Sequence, residues 1–253
     1  MKSDTASETD GVREVSKTVA FFRPDDERAD EAAEIISSLG YEPLADPMLA
    51  VEPTGATPRE DGDYTILTSK TGVELASDAG WNPTGEIVAI GTPTADVLER
   101  EGYSVDRIPE EFSSSGLVDA LSDDVPGRRV EVARSDHGSP VLTDGLEAAG
   151  AYVHETVLYR LVRPENAGVS VERAARGELA AACFTSSLTV EHFRDAADER
   201  GVREAAVRGL NDAVVGAIGE PTRATATAVG IDVDVVPNIA EFESLARAVV
   251  SKL

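Results

Sequence analysis

Three strand–turn–helix units occur twice in this chain, in the same order. From Arg128, RRVEVARSDHGSPVLTDGLEAAGAYVHE repeats the plan of TVAFFRPDDERADEAAEIISSLGYEP, which starts at Thr18. Both give an apolar strand, an arginine, a polar turn, a helix, a glycine and a second strand. AAACFTSSLTVEHF then repeats YTILTSKTGVEL, and VVGAIGEPTRATATAVG repeats EIVAIGTPTADVLEREG. The halves begin near Lys17 and Arg128. Spacing between units differs in the two copies, so the chain is duplicated once and is not a solenoid of short repeats.

Each unit ends an apolar strand in a small polar turn and enters a helix. That order specifies a mostly parallel sheet covered by helices, an α/β fold. The clearest strands are Thr18–Phe22, Tyr64–Leu67 and Ile87–Ile90, with a further strand expected from Val105 to Ile108. The first helix, through EAAEIISSL, stops at Gly40, and SSSGLVDALSDD places serines ahead of another helix. Pro43, Pro47 and Pro53 crowd the segment after the first βα unit, which reads as a linker rather than an ordinary strand. In such sheets ligands bind beyond the carboxyl ends of the strands, where unpaired amides at helix starts receive anions. Ser, Thr and Gly collect at those positions here.

Charge narrows the partners. There are 47 Asp and Glu against 23 Lys and Arg, a net charge of -24, which disfavours nucleic acid and anionic membranes. The acidic residues lie on helical polar faces, as in proteins of extreme halophiles. Residues 1–16 lack the apolar core of a signal peptide and read as a disordered polar tail. No stretch has the apolar continuity of a membrane span, and the expected location is the cytoplasm. Cys183 is the only cysteine; it sits in the apolar run AAACF and is expected to be buried. His137, His154 and His192 have no metal-ligand spacing.

The candidate binding residues come in matched sets. Thr68 and Ser69 match Thr185 and Ser186; they cap helices, present hydroxyls and amides to an anion, or do both. Lys70 has no counterpart, because Ser187 stands in its place. Gly91-Thr92-Pro93-Thr94 matches Gly219-Glu220-Pro221-Thr222, a tight turn in which Thr94 and Thr222 cap or bind. Arg23 and Arg134 both follow the first strand of a half. Each either clamps a carboxylate with two hydrogen bonds or balances its acidic neighbours. GxGxxG, GxxxxGK[ST] and GxSxG are all absent, which argues against dinucleotide, P-loop and serine-hydrolase chemistry. A response-regulator-like site would need an acidic cluster where Arg23 and Arg134 stand. Tyr159 ends VLY ahead of Arg160 in the extended segment leaving the second βα unit. It is either a packed strand tyrosine or a proton-donating phenol, with a reference pKa of about 10.

Taken in order, the two arginine-containing starts, LTSKTGVE, VAIGTPTADVL, VLYR, CFTSSLTVEHF and GAIGEPTRA resemble the uroporphyrinogen-III synthase family over nearly the whole chain after the tail. The resemblance implies two flavodoxin-like lobes with parallel sheets flanked by helices, joined by a two-stranded linker. Residues 17–46 and 162–253 would form lobe one and residues 49–159 lobe two, with the active site in the cleft between them. It implies closure of hydroxymethylbilane to uroporphyrinogen III, with loss of water and inversion of ring D through a spiro intermediate. No metal or redox cofactor is required. Tyr159 would assist departure of the hydroxyl. Ser69, Thr94, Ser186 and Thr222, with Arg23 and Arg134, would receive the acetate and propionate carboxylates. The protein would act as a monomer and take its substrate from hydroxymethylbilane synthase. The product would feed haem, sirohaem or cobalamin synthesis. The alternative is a two-lobed tetrapyrrole-binding protein without catalysis.

Overall fold

The computed structural model describes residues 17–24 and 27–253, so the expected polar tail of residues 1–16 lies outside the described residues. The chain divides into two compact units, one made of residues up to Ala50 with Arg163–Leu253, the other of Val51–Val162.

The first unit opens with β1 (Thr18–Phe22), α1 (Glu27–Ser38) and β2 (Glu42–Ala45). The second holds β3 (Ala50–Pro53), which starts at the boundary. It continues with β4 (Tyr64–Leu67), α2 (Lys70–Asp78), β5 (Glu86–Ala89), α3 (Thr92–Arg100) and α4 (Ser114–Leu121). It ends with β6 (Arg129–Ser135), α5 (Pro140–Ala148) and β7 (Tyr152–Val162). The chain returns to the first unit with α6 (Val169–Ala175), β8 (Ala181–Phe184), α7 (Ser187–Glu199), α8 (Arg203–Asn211), β9 (Val214–Ala217), α9 (Glu220–Ala228) and α10 (Phe242–Val250).

The first sheet runs β2-β1-β8-β9, with every neighbouring pair parallel. The second runs β3-β7-β6-β4-β5, and β7-β6-β4-β5 is parallel throughout. By the sequence repeat, β6 and β7 are second copies of β1 and β2, and β8 and β9 of β4 and β5. Each sheet therefore joins the opening strands of one copy to the later strands of the other. The copies retain matching local devices. Gly40 and Gly150 end their helices in the left-handed region at φ 88° and 91°. Ile87 N–H donates to Asp106 and Val215 N–H to Asp234, both at 2.8 Å.

Strands covered on both faces read as unbroken apolar runs. Val19 and Phe21 of β1 pack with Ile36, Leu245 and Val249, whereas Ala20 and Phe22 pack with Phe184 and Phe193 on the other face. In the second unit Leu67 and Ala89 face α2 and α3, and Ile66, Val88 and Val132 face α4 and α5. Each such large side chain, fully buried, contributes about 1.5–3 kcal/mol.

Two sequence expectations are corrected. The proline-rich segment is not all linker: Glu42–Ala45 pairs with β1 in register Val19↔Pro43. Pro43 and Pro53 both sit in edge strands, where a missing N–H breaks no interior ladder. Val105–Ile108, expected as a strand, makes only an isolated bridge between Arg107 and Val88. There the Asp106 carboxylate takes the Ile87 amide, and Pro109 follows two residues after Arg107. No helix among the described residues is long and apolar enough to cross a membrane.

Candidate active site

The carboxyl edge of the second sheet brings two predicted residues into contact. β4 ends at Leu67, and Ser69 caps α2 by accepting from Gly72 N–H at 3.0 Å. The Tyr159 hydroxyl donates to the same Ser69 Oγ at 2.9 Å. Tyr159 is 7% exposed.

A β-bulge makes this contact. β6 and β7 run in register from Arg129↔Tyr152 to Arg134↔Val157, but Ser135 then pairs with Tyr159. Leu158 is the extra residue. Strict alternation would send Leu158 and Tyr159 to opposite faces; after the bulge both pack in the same cluster with Leu67, Val73 and Ala133. The displaced carbonyls are held. Thr54 Oγ1 donates to Val157 O at 2.7 Å, and Thr54 N–H donates to Leu158 O at 3.0 Å. Downstream, Asp136 N–H donates to Tyr159 O at 3.2 Å, and the Asp136 carboxylate accepts from Leu161 N–H at 3.0 Å. Desolvation works against the Asp136 carboxylate, but hydrogen bonds from His137 and the Leu161 amide prevail and hold its pKa below the ordinary value. Thr54 and Asp136 thus brace the tyrosine. Their role lies in strand register, which residue types alone do not disclose.

The other hydroxyls occupy helix starts. Ser186 caps α7 in a reciprocal capping box with Thr189. Thr94 in α3 and Thr222 in α9 follow glycine N-caps that offer no side-chain cap, and they are 5% and 4% exposed. Glu220 also lies in the first turn of α9, where Arg223 pairs with it.

The two arginines have protein partners. Arg134, expected to clamp a ligand carboxylate, is 4% exposed and already holds one: its Nε donates to Glu155 at 2.7 Å. One of its terminal nitrogens donates to Ser139 O at 2.6 Å, and its guanidinium lies against Gly138, which leaves no room there for a Cβ. It pins the β6–α5 loop. Arg23 donates to Arg28 O at 3.2 Å and lies over the Phe242 ring at 4.8 Å. The histidines have local partners too. His137 meets Asp136 at 2.8 Å, His154 the buried Glu131 at 2.7 Å, and His192 the Met48 carbonyl at 2.5 Å. A cavity of about 650 Å³ lined by Arg128, Arg129, Glu131, Tyr152 and His154 lies at the amino edge of the second sheet, not at the carboxyl edge. No group of three or more potential metal ligands gathers among the described residues.

Two α/β units with hydroxyl-bearing helix starts beyond their parallel strands define a class whose sites rest on strand ends rather than on a nucleotide-binding loop. The family model described as uroporphyrinogen-III synthase HemD matches residues 30–247. The chain belongs to that family. A protein of Methanothermobacter thermautotrophicus provisionally named uroporphyrinogen-III synthase is 32% identical over 221 residues, covering 81% of this chain and 86% of that one. Solved structures show the fold. A mutant uroporphyrinogen III synthase of Thermus thermophilus aligns with a TM-score of 0.66 at 20% identity, over 91% of this chain and 96% of that one. The Helicobacter pylori enzyme gives 0.59 at 13% identity, over 94% and 100%.

Proposed function

We propose that this protein is a uroporphyrinogen-III synthase, which closes hydroxymethylbilane into uroporphyrinogen III with loss of water and inversion of ring D through a spiro intermediate. The observation that carries this reading is the Tyr159–Ser69 hydrogen bond, found at the carboxyl edge of a sheet in a chain of the synthase family. A linear tetrapyrrole is flexible and polyanionic. Its enzyme must curl it so that the substituted carbon of ring D meets the activated terminal carbon, which is catalysis by orientation. Proton-donating hydroxyls must then serve the departing hydroxyl group.

The helix starts at Ser69, Thr94, Ser186 and Thr222 suit the acetate and propionate carboxylates, each offering amide donors and the positive end of a helix dipole. Arg134 is assigned to the fold rather than to the substrate, since it is 4% exposed with Nε on Glu155 and a terminal nitrogen on Ser139 O. Mixing the protein with freshly generated hydroxymethylbilane and separating the isomers tests the reading. A synthase gives the type III macrocycle. A protein that only binds releases the chain to close spontaneously as type I.

A further inference from the structure

We propose that Ser69, not Tyr159, is the hydroxyl that meets the departing oxygen, and that Tyr159 acts behind it as the proton source. This rests on the synthase reading and concerns the acid within it. A serine oxygen offers two acceptor positions and one donor proton. At Ser69 both acceptor positions are filled, by Gly72 N–H at 3.0 Å and by the Tyr159 hydroxyl at 2.9 Å. The amide can only donate. Between the two hydroxyls the phenol is the stronger acid and the alkyl oxygen the better acceptor, so the tyrosine proton points at the serine. The Ser69 proton has no acceptor among the described residues. Tyr159, 7% exposed and committed to Ser69, does not present a proton of its own to a ligand. Ser69 is half-buried and caps the helix at the strand edge.

The duplicated copy marks the difference. Ser186 caps α7 in the same way, accepting from the amide of Thr189 three residues on, but no phenol among the described residues donates to it. The bulge at Leu158 is what gives one copy a tyrosine. Two matched caps have diverged, one backed by an acid and one not.

The proton flow balances. The bond between the terminal carbon and its hydroxyl oxygen breaks, and both bonding electrons leave with the oxygen. Ser69 gives that oxygen its proton, so water departs. Tyr159 gives its proton to Ser69. The terminal pyrrole loses its N–H proton as the azafulvene forms; that proton passes by way of the released water to Ser69, which hands its own back to Tyr159. No oxidant or further reactant enters.

A double-mutant cycle tests the order of the two hydroxyls. Ser69→Gly removes the hydroxyl with little loss of helix capping, and Tyr159→Phe removes the phenol proton but keeps the ring. Single-turnover closure is measured for wild type, both single variants, the double variant and Ser69→Thr. Ser69→Gly is expected to slow closure by about 10²-fold or more, within the usual range for a general acid. In the Ser69→Gly background, Tyr159→Phe is expected to cost nothing further. Ser69→Thr, which restores a hydroxyl, is expected to recover most of the rate. The inference is overturned if Ser69→Gly closes the bilane at the wild-type rate, or if Tyr159→Phe slows both backgrounds equally. Wild-type protein that forms no type III product would instead overturn the synthase reading, so the two failures are distinct.

Discussion

Cys183 shows how burial sets chemistry at a single residue. It sits in β8 with no exposed surface, and burial pushes its thiol up to about 12. The unfolded thiol titrates near about 8.5. Folding therefore gains from the neutral thiol fully below that value, and the gain is lost as pH rises toward about 12. Iodoacetamide at pH 8 is expected to leave the native protein unmodified and to label Cys183 only in denaturant; rapid labelling of native protein would contradict the packing. The burial of this thiol was legible in AAACF. So were Ser69 and Tyr159 as separate candidates, because each stands at a strand end in a polar context. Their mutual bond was not legible: it depends on one bulged residue, Leu158, and on Thr54 holding the displaced carbonyls. The structural partner of Arg134 was hidden for the same reason. Glu155 lies 21 residues away and meets it only through the β6–β7 register.

Among the elements, the segment between β2 and β3 is fastened by one buried carboxylate. Asp46, 1% exposed, accepts from Gly168 N–H and Ser170 N–H at 2.8 Å and from the Ser170 hydroxyl at 2.5 Å. It satisfies the opening amides of α6 from 122 residues away. Asp46→Ala would leave three buried donors without partners, each costing about 1–3 kcal/mol. A loss of about 3 kcal/mol or more is expected in urea unfolding, with Ser170→Ala, which removes only the hydroxyl, milder. A midpoint unchanged in Asp46→Ala would refute that role. Strands and helices with strong periodicity were plain from the sequence, and Tyr64–Leu67 matches β4 end to end. The proline-bearing edge strands were not, because Pro43 is tolerated only by virtue of where the sheet ends. Val105–Ile108 looked like a strand by composition, yet Asp106 uses its carboxylate to meet the neighbouring backbone and pairing stops at one bridge.

Over the whole molecule, the repeat exposed the α/β fold. The exchange of strands between copies, β1 beside β8 and β6 beside β4, is a matter of long-range pairing that no local signal carries. The net charge of -24 acts at this scale as well. Self-repulsion opposes folding, and on the proposed function repulsion of the polyanionic bilane would slow encounter; salt screens both over a Debye length of about 10 Å at 0.1 M and about 3 Å at 1 M. Thermal stability and the initial rate are both expected to rise from about 0.1 to about 3 M KCl, and equal values across that range would contradict the account. The most direct test of the central claim is the isomer ratio during turnover of freshly generated hydroxymethylbilane, followed as protein concentration is raised at fixed high salt. The type III fraction is expected to climb toward completeness as enzymatic closure outruns the spontaneous reaction. A product that remains type I at every protein concentration, with the fold intact, would contradict it.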